Sequence, residues 1–139
     1  MLNYKFLLTP SSDQIRHIIS LYRTAGWWEK DVPDDPHLVE RIIAGSHCFM
    51  VATEGEEIVG MGRVISDRAS DAYIQDLTVK ETYRDMGVGT EIVKRILSRL
   101  EEDGIKWIAL IAERNSHEFY EHFGYKIMPD SMPMIKILT

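Results

Sequence analysis

One cysteine in the whole chain, Cys48, excludes an internal disulfide and a cysteine zinc cluster. Set beside Phe49, Met50 and Val51, it reads as a small core residue of a strand. No apolar run approaches the roughly eighteen residues of a membrane span. Asn3 and Lys5 also interrupt the start, where a signal peptide would need an unbroken apolar stretch. A soluble, cytoplasmic protein without a membrane partner is therefore expected. Basic charge is scarce too: 16 Lys and Arg against 22 Asp and Glu give a formal charge of −6, which argues against a nucleic-acid partner. The acids gather at Glu29, Asp31, Asp34 and Asp35, and again at Glu54, Glu56 and Glu57. Both groups fit plain solubility, and the first also fits a cationic substrate. His117 and His122 share a helical face poorly at their spacing and make no metal pair, so no metal is expected.

What the chain does hold is 45% hydrophobic residues in a length of 139, which suits one domain over 1–139 with a proper core. Weak alternation over 3–8 predicts a short strand, closed by Thr9 and Pro10. Ser11, Ser12 or Asp13 can cap a helix whose stripe is Ile15, Ile18, Ile19 and Tyr22, ending near Gly26. Trp27, Trp28 and an acidic, proline-marked loop follow. A second helix opens at Pro36, carries Leu38, Val39, Ile42 and Ile43, and stops at Gly45. Residues 48–53 and 57–65 flank a hairpin turn, and Gly60 and Gly62 point to a bulge or a close backbone contact. Strand-type residues fill 72–79, and a helix is predicted over about 87–103 with Gly104 after it. The apolar run within 106–112 predicts a strand buried on both faces, parallel to 72–79 because a helix makes the crossover. A short helix over 117–123 and two closing strands, 125–128 and 134–138, complete the chain.

The stretch that organises this order is Thr82-Tyr83-Arg84-Asp85-Met86-Gly87-Val88-Gly89-Thr90, between the strand at 72–79 and the helix with the apolar face Ile92, Val93, Ile96, Leu97 and Leu100. Glycines at a helix start let an anion approach the backbone, where unpaired N–H groups and the positive end of the dipole meet it. A P-loop would need Lys and then Ser or Thr after the last glycine, but Thr90 and Glu91 stand there. A dinucleotide fingerprint would need a small residue where Ile92 stands. The pattern that fits is Arg-x-x-Gly-x-Gly, Arg84 to Gly89.

That pattern resembles the coenzyme A pyrophosphate loop of the GCN5-related N-acetyltransferases (GNAT). The element order is similar to this family over essentially the whole chain. So are Gln75-Asp76-Leu77-Thr78-Val79 before the loop, the Tyr83-Arg84 lead-in, and Phe119-Tyr120-Glu121-His122-Phe123-Gly124-Tyr125, which looks like the family's Phe-Tyr-x-x-x-Gly-Phe helix. Small bacterial members with an early Gly-Trp-Trp segment resemble it most. The resemblance implies an α/β, mixed α+β, GNAT-like fold: a central mixed sheet of six to seven strands, splayed between the fourth and fifth, with about four helices.

It also implies acetyl-CoA as co-substrate. Backbone N–H groups of Asp85, Met86, Gly87, Val88, Gly89 and Thr90 would meet the pyrophosphate, with the Thr90 hydroxyl and the Arg84 charge. The pantetheine arm would pair with backbone at Leu77, Thr78 and Val79. Asn115 either bonds that arm or serves the loop. Tyr120 fits the family's acid for the departing thiolate, packing between Phe119 and Phe123 being the other role open to it. For the base, Gln75 stands where some members have Glu. Asp76 is the alternative, although strand alternation sends it to the other face, and a structural role for it is equally open. The acceptor pocket would draw on Trp27, Trp28, Glu29, Asp31 and Gln75, with Met132 and Met134; indoles and carboxylates together suit an alkylammonium. The activity implied is direct acetyl transfer to the primary amine of a small molecule. A coenzyme A binding module without turnover and an acceptor that is a protein or peptide amine are the alternatives. Oligomeric state stays open, in a family that often forms homodimers.

Overall fold

A computed structural model describes residues 1–139. Its elements are strand β1 (Leu2–Phe6), helices α1 (Ser12–Thr24) and α2 (Pro36–Gly45), strands β2 (Cys48–Glu54), β3 (Glu57–Ser66) and β4 (Asp71–Val79), a 3-10 turn (Glu81–Tyr83), helix α3 (Val88–Glu102), strand β5 (Trp107–Ala109) and helix α4 (His117–Glu121). Two compact units result, Met1–Ala109 and Leu110–Thr139.

In the first unit, local chemistry sets the helix ends. Ser11 Oγ accepts from the Gln14 N–H at 3.2 Å while the Gln14 side chain accepts from the Ser11 N–H at 2.8 Å, a reciprocal cap for α1. Asp35 caps α2 at the Leu38 N–H, 3.1 Å away, with Pro36 just inside. The sheet runs β1-β2-β3-β4-β5, antiparallel except for the β4/β5 pair.

Strand β3 carries a helix on each face. Ile58 and Met61 join the core under α1 with Ile18, Tyr22, Phe49 and Val51. Gly60 and Gly62 turn to α3: a Cβ on Gly60 would lie 3.0 Å from Val88 Cγ1, and one on Gly62 3.0 Å from Ile92 Cγ2. The absent side chains let α3 sit down on the strand, and Val88, Ile92, Val93, Ile96 and Leu100 are buried there. The bulge alternative holds as well. The register shifts between Ala52 and Thr53, which leaves Val59 without a pairing residue and resets the alternation between Ile58 and Gly60.

Strand β5 departs from expectation. It spans three residues rather than 106–112, and Trp107 is exposed with Ile108 and Ala109 half-buried, so it is not buried on both faces. Pairing with β4 covers only Asp71, Ala72 and Tyr73, whereas β4 runs on to Val79. That is the parting between the fourth and fifth strands that the resemblance implies.

In the second unit, α4 is the only regular element. The strands expected at 125–128 and 134–138 do not form, and the sheet has five strands instead of six to seven. Their apolar composition suits a strand, but a strand exists only through a partner's hydrogen bonds, and no residue of either segment is paired in a sheet. Pro129 and Pro133 further remove two donors between them.

Candidate active site

The glycine corner forms at the end of β4. The Lys80 N–H bonds Val59 O at 2.7 Å, and the 3-10 turn closes through Tyr83 N–H to Lys80 O at 2.8 Å. Beyond it Asp85 and Gly87, with Met86 between them, both take left-handed backbone, φ 63° and 80°. Alternation of that kind turns successive N–H groups toward one side, a concave nest for an anion. The first helical bond is from the Glu91 N–H to Gly87 O, 3.0 Å, so the N–H groups of Val88, Gly89 and Thr90 precede any intrahelical partner. No side chain caps this end of α3. Val88 buries its side chain and contributes only backbone, while Arg84, Asp85, Met86, Gly87 and Thr90 are exposed. Arg84 Nε donates to Val79 O at 3.3 Å, which keeps its guanidinium beside the loop. Nothing lies within 4 Å of where a Gly87 Cβ would be, so the loop is uncrowded at that position.

Leu77, Thr78 and Val79 are half-buried, and β3 is the one strand that pairs with them, through Met61 with Thr78 and Gly60 with Val79. Their other backbone edge is extended and free of a strand neighbour, as an amide-bearing arm requires to add itself like a strand.

Just upstream, β4 bulges. Met61 pairs with Thr78 and Arg63 with Gln75, so Asp76 and Leu77 together face Gly62 alone. Asp76 takes φ 57°, strained for a residue with a side chain. The extra residue overturns the alternation expected for this pair. Asp76 Oδ2 accepts from Arg63 Nε at 2.6 Å and from the Tyr22 hydroxyl at 2.7 Å, on the face that Arg63 shares with its register partner Gln75. The Arg63 and Asp76 side chains are 16% and 21% exposed, and a second Arg63 nitrogen reaches Ser46 Oγ at 3.3 Å. Burial, then the Asp76 charge, raises the Tyr22 pKa and keeps its phenol a donor.

Tyr22 also fixes the two tryptophans. Gly26, φ 83°, ends α1, and the Trp27 and Trp28 N–H groups both bond Tyr22 O, at 3.1 and 3.3 Å. The Trp28 ring stacks on Tyr22 at 4.1 Å and 6°, and Trp27 meets it edge-on at 6.0 Å. Arg23 ties down the following loop through Asp34, 2.6 Å, and Val32 O, 2.7 Å. Glu29 and Asp31 are exposed. Four expected residues, Trp27, Trp28, Gln75 and Asp76, are thus gathered by two residues not singled out for the site, Tyr22 and Arg63. Tyr22 reads as part of a core stripe. Arg63 carried a signal: a lone cation within the apolar run 57–65 demands a partner when buried.

Within the second unit, Arg114 and Asn115 are consecutive left-handed residues, φ 54° and 62°, so Asn115 shapes a turn and is exposed, while Ser116 stands at the N-cap of α4. Tyr120 is 9% exposed, edge-on to Phe119 at 5.0 Å and to Tyr125 at 5.9 Å. Burial, and to a smaller degree the Glu113 charge, raises its pKa, so the phenol carries its proton at neutral pH. The Tyr125 hydroxyl is buried without a partner, and burial pushes its pKa up to about 12. His117 is half-buried; His122, Met132 and Met134 are exposed.

A family model described as an acetyltransferase (GNAT) domain matches residues 9–133. The chain belongs to the GNAT acetyltransferase family. Among curated relatives, histone acetyltransferase TAP1 of Glycine max is 30% identical over 96 residues, 66% of this chain and 42% of that protein. This GNAT chain therefore spans less than half the length of that relative. Among solved structures, a GNAT family acetyltransferase of Streptococcus pneumoniae TIGR4 is 25% identical with a TM-score of 0.79, covering 99% of this chain and 98% of its own. Glucosamine-6-phosphate N-acetyltransferase of Arabidopsis thaliana, at 21% identity and a TM-score of 0.76 over 99% of both chains, has the same fold. GNAT acetyltransferases use acetyl-CoA as co-substrate. The left-handed backbone at Asp85 and Gly87, the uncapped start of α3 and the Arg84 charge fit its diphosphate. No helix is long and apolar enough to cross a membrane.

Proposed function

We propose that this GNAT domain transfers the acetyl group of acetyl-CoA directly to the primary amine of a small molecule. The corner from Arg84 to Thr90 carries the reading, because left-handed backbone at Asp85 and Gly87 turns N–H groups outward where α3 begins. Those groups, the Thr90 hydroxyl and Arg84 would hold the diphosphate, and the free edge at Leu77, Thr78 and Val79 would hold the amide-bearing arm. When bound, the co-substrate supplies an acetyl group already activated as a thioester.

In the transfer, a carbon–nitrogen bond forms as the carbon–sulfur bond breaks. The amine gives up a proton and the sulfur gains one. Tyr120 is the donor to sulfur in this reading, its raised pKa keeping the proton available at neutral pH. Trp27, Trp28, Glu29 and Gln75 line the acceptor side, where indole faces and carboxylate attract an alkylammonium. A formal charge of −6 also favours a cationic acceptor over nucleic acid.

Two observations keep a second reading in play, a coenzyme A binding module without turnover: Gln75 cannot take a proton, and the Asp76 carboxylate is already shared by Arg63 and Tyr22. Thiol release from acetyl-CoA over a panel of amino sugars, polyamines, arylalkylamines and a histone-tail peptide separates the readings. Release with a small amine is the expected result. Binding without release would establish the second reading, and release with the peptide alone would move the acceptor to proteins.

A further inference from the structure

The Asp76 carboxylate stands where two elements meet, in the arrangement of an anchor. Asp76 occupies the bulge of β4 in left-handed backbone, and such strain persists only where surrounding contacts hold it. Here they are specific: a single oxygen, Oδ2, takes both the Arg63 guanidinium at 2.6 Å and the Tyr22 hydroxyl at 2.7 Å. A carboxylate oxygen committed to a permanent cation and to a phenol donor is fixed in place, as an anchor between elements requires. The two donors come from different elements, Arg63 from β3 and Tyr22 from α1, so the carboxylate joins the helix to the bulge. Tyr22 then passes the constraint on, through its carbonyl to the Trp27 and Trp28 N–H groups and through its ring to the Trp28 stack.

We propose that Arg63, Asp76 and Tyr22 form a positioning network that holds the Trp27 and Trp28 segment against the bulged strand, so that Asp76 sets where the acceptor amine binds and takes no proton from it. This rests on the acetyltransferase reading. It assigns Tyr22 and Arg63 a role in acceptor affinity, and it leaves deprotonation of the amine to water or to another group.

The test compares Tyr22→Phe, Asp76→Asn and the double variant, since Asn tolerates left-handed backbone and keeps an acceptor oxygen. Each single variant is expected to raise the KM for the amine about tenfold, Tyr22→Phe by losing one hydrogen bond to a charged group and Asp76→Asn by losing the charge that strengthens both bonds. The kcat and the acidic limb of the pH–rate profile should survive, and acetyl-CoA affinity by calorimetry should not change. The double variant should be little worse than either single one, because the two side chains act as one unit. In near-ultraviolet circular dichroism, both variants should shift the tryptophan band in the same way.

The proposal is overturned if Asp76→Asn lowers kcat a hundredfold or more and abolishes the acidic limb while Tyr22→Phe is silent, the behaviour of a base. An unchanged tryptophan band in Asp76→Asn overturns it as well. If the unaltered protein releases no thiol with any amine, the acetyltransferase reading fails, and the dichroism arm, which needs no turnover, still decides whether the network holds Trp28. Should Asp76→Asn not fold, Tyr22→Phe and Arg63→Lys carry the same measurements.

Discussion

Replacing Gly87 by alanine probes the phosphate corner with the smallest chemical change. A Cβ there meets no atom within 4 Å, so no clash contributes and the whole effect comes from the backbone. At φ 80° an L-residue is disfavoured by roughly 1–2 kcal/mol, and the stiffer unfolded chain returns about 0.4–1 kcal/mol. A net loss of about 1 kcal/mol is expected in urea unfolding. Affinity should suffer more. If the loop relieves the strain by returning toward negative φ, the N–H groups leave the nest, and losing one charge-assisted bond of about 1.5–3 kcal/mol raises the Kd for acetyl-CoA tenfold or more. Gly104 supplies the control. It has φ 78°, equally empty surroundings and a place just after the C-cap of α3, at the far end of a helix about 22 Å long. Gly104→Ala should lose the same stability and keep its affinity in calorimetric titration. Equal affinities for the two variants, or an unchanged Kd for Gly87→Ala, would refute the loop assignment.

Tyr120→Phe should lower kcat by about a hundredfold, the lower end for a lost general acid, with acetyl-CoA affinity retained; full turnover would return Tyr120 to a packing role. Gly60→Val would push carbon into Val88 and Ile92, 3.0 and 3.1 Å from the added Cβ, and by analogy with other overpacked sites should destabilise by about 1–3 kcal/mol in urea unfolding. The acid response should involve Asp103, whose carboxyl is held below the usual range first by the His47 hydrogen bond at 2.7 Å and then by Arg99 at 2.9 Å. A depressed folded pKa gives stability that is present above the unfolded value of about 3.9 and is lost as pH falls through the folded one. His47→Gln should therefore flatten the decline of stability below about pH 4, and an unchanged decline would remove that contact from the account.

The parts of this fold legible from residues alone are those whose signals are local. The cap of α1, which falls on the first of the candidates Ser11, Ser12 and Asp13, the opening of α2 at Pro36 and the apolar face of α3 each depend on a few neighbouring residues, and each forms where expected. The bulge at Asp76 has no such signal. It needs a non-glycine residue in left-handed backbone, and that becomes affordable only once Arg63 and Tyr22, 13 and 54 residues away in sequence, have arrived. Alternation over 72–79 consequently assigned Gln75 and Asp76 to opposite faces, whereas the extra residue brings them to one. The length of β5 and the absence of strands at 125–128 and 134–138 have a related cause. Residues 107–112 and 134–138 are as apolar as a strand requires, but pairing is a property of the edge on offer, which composition does not record.

Amide chemical shifts of the labelled protein, followed on titration with coenzyme A, bear most directly on the phosphate corner. The account expects the largest changes at the backbone N–H groups of residues 85–90, with further changes at Leu77, Thr78 and Val79 along the free edge of β4. Saturable binding that leaves residues 85–90 unmoved would contradict it.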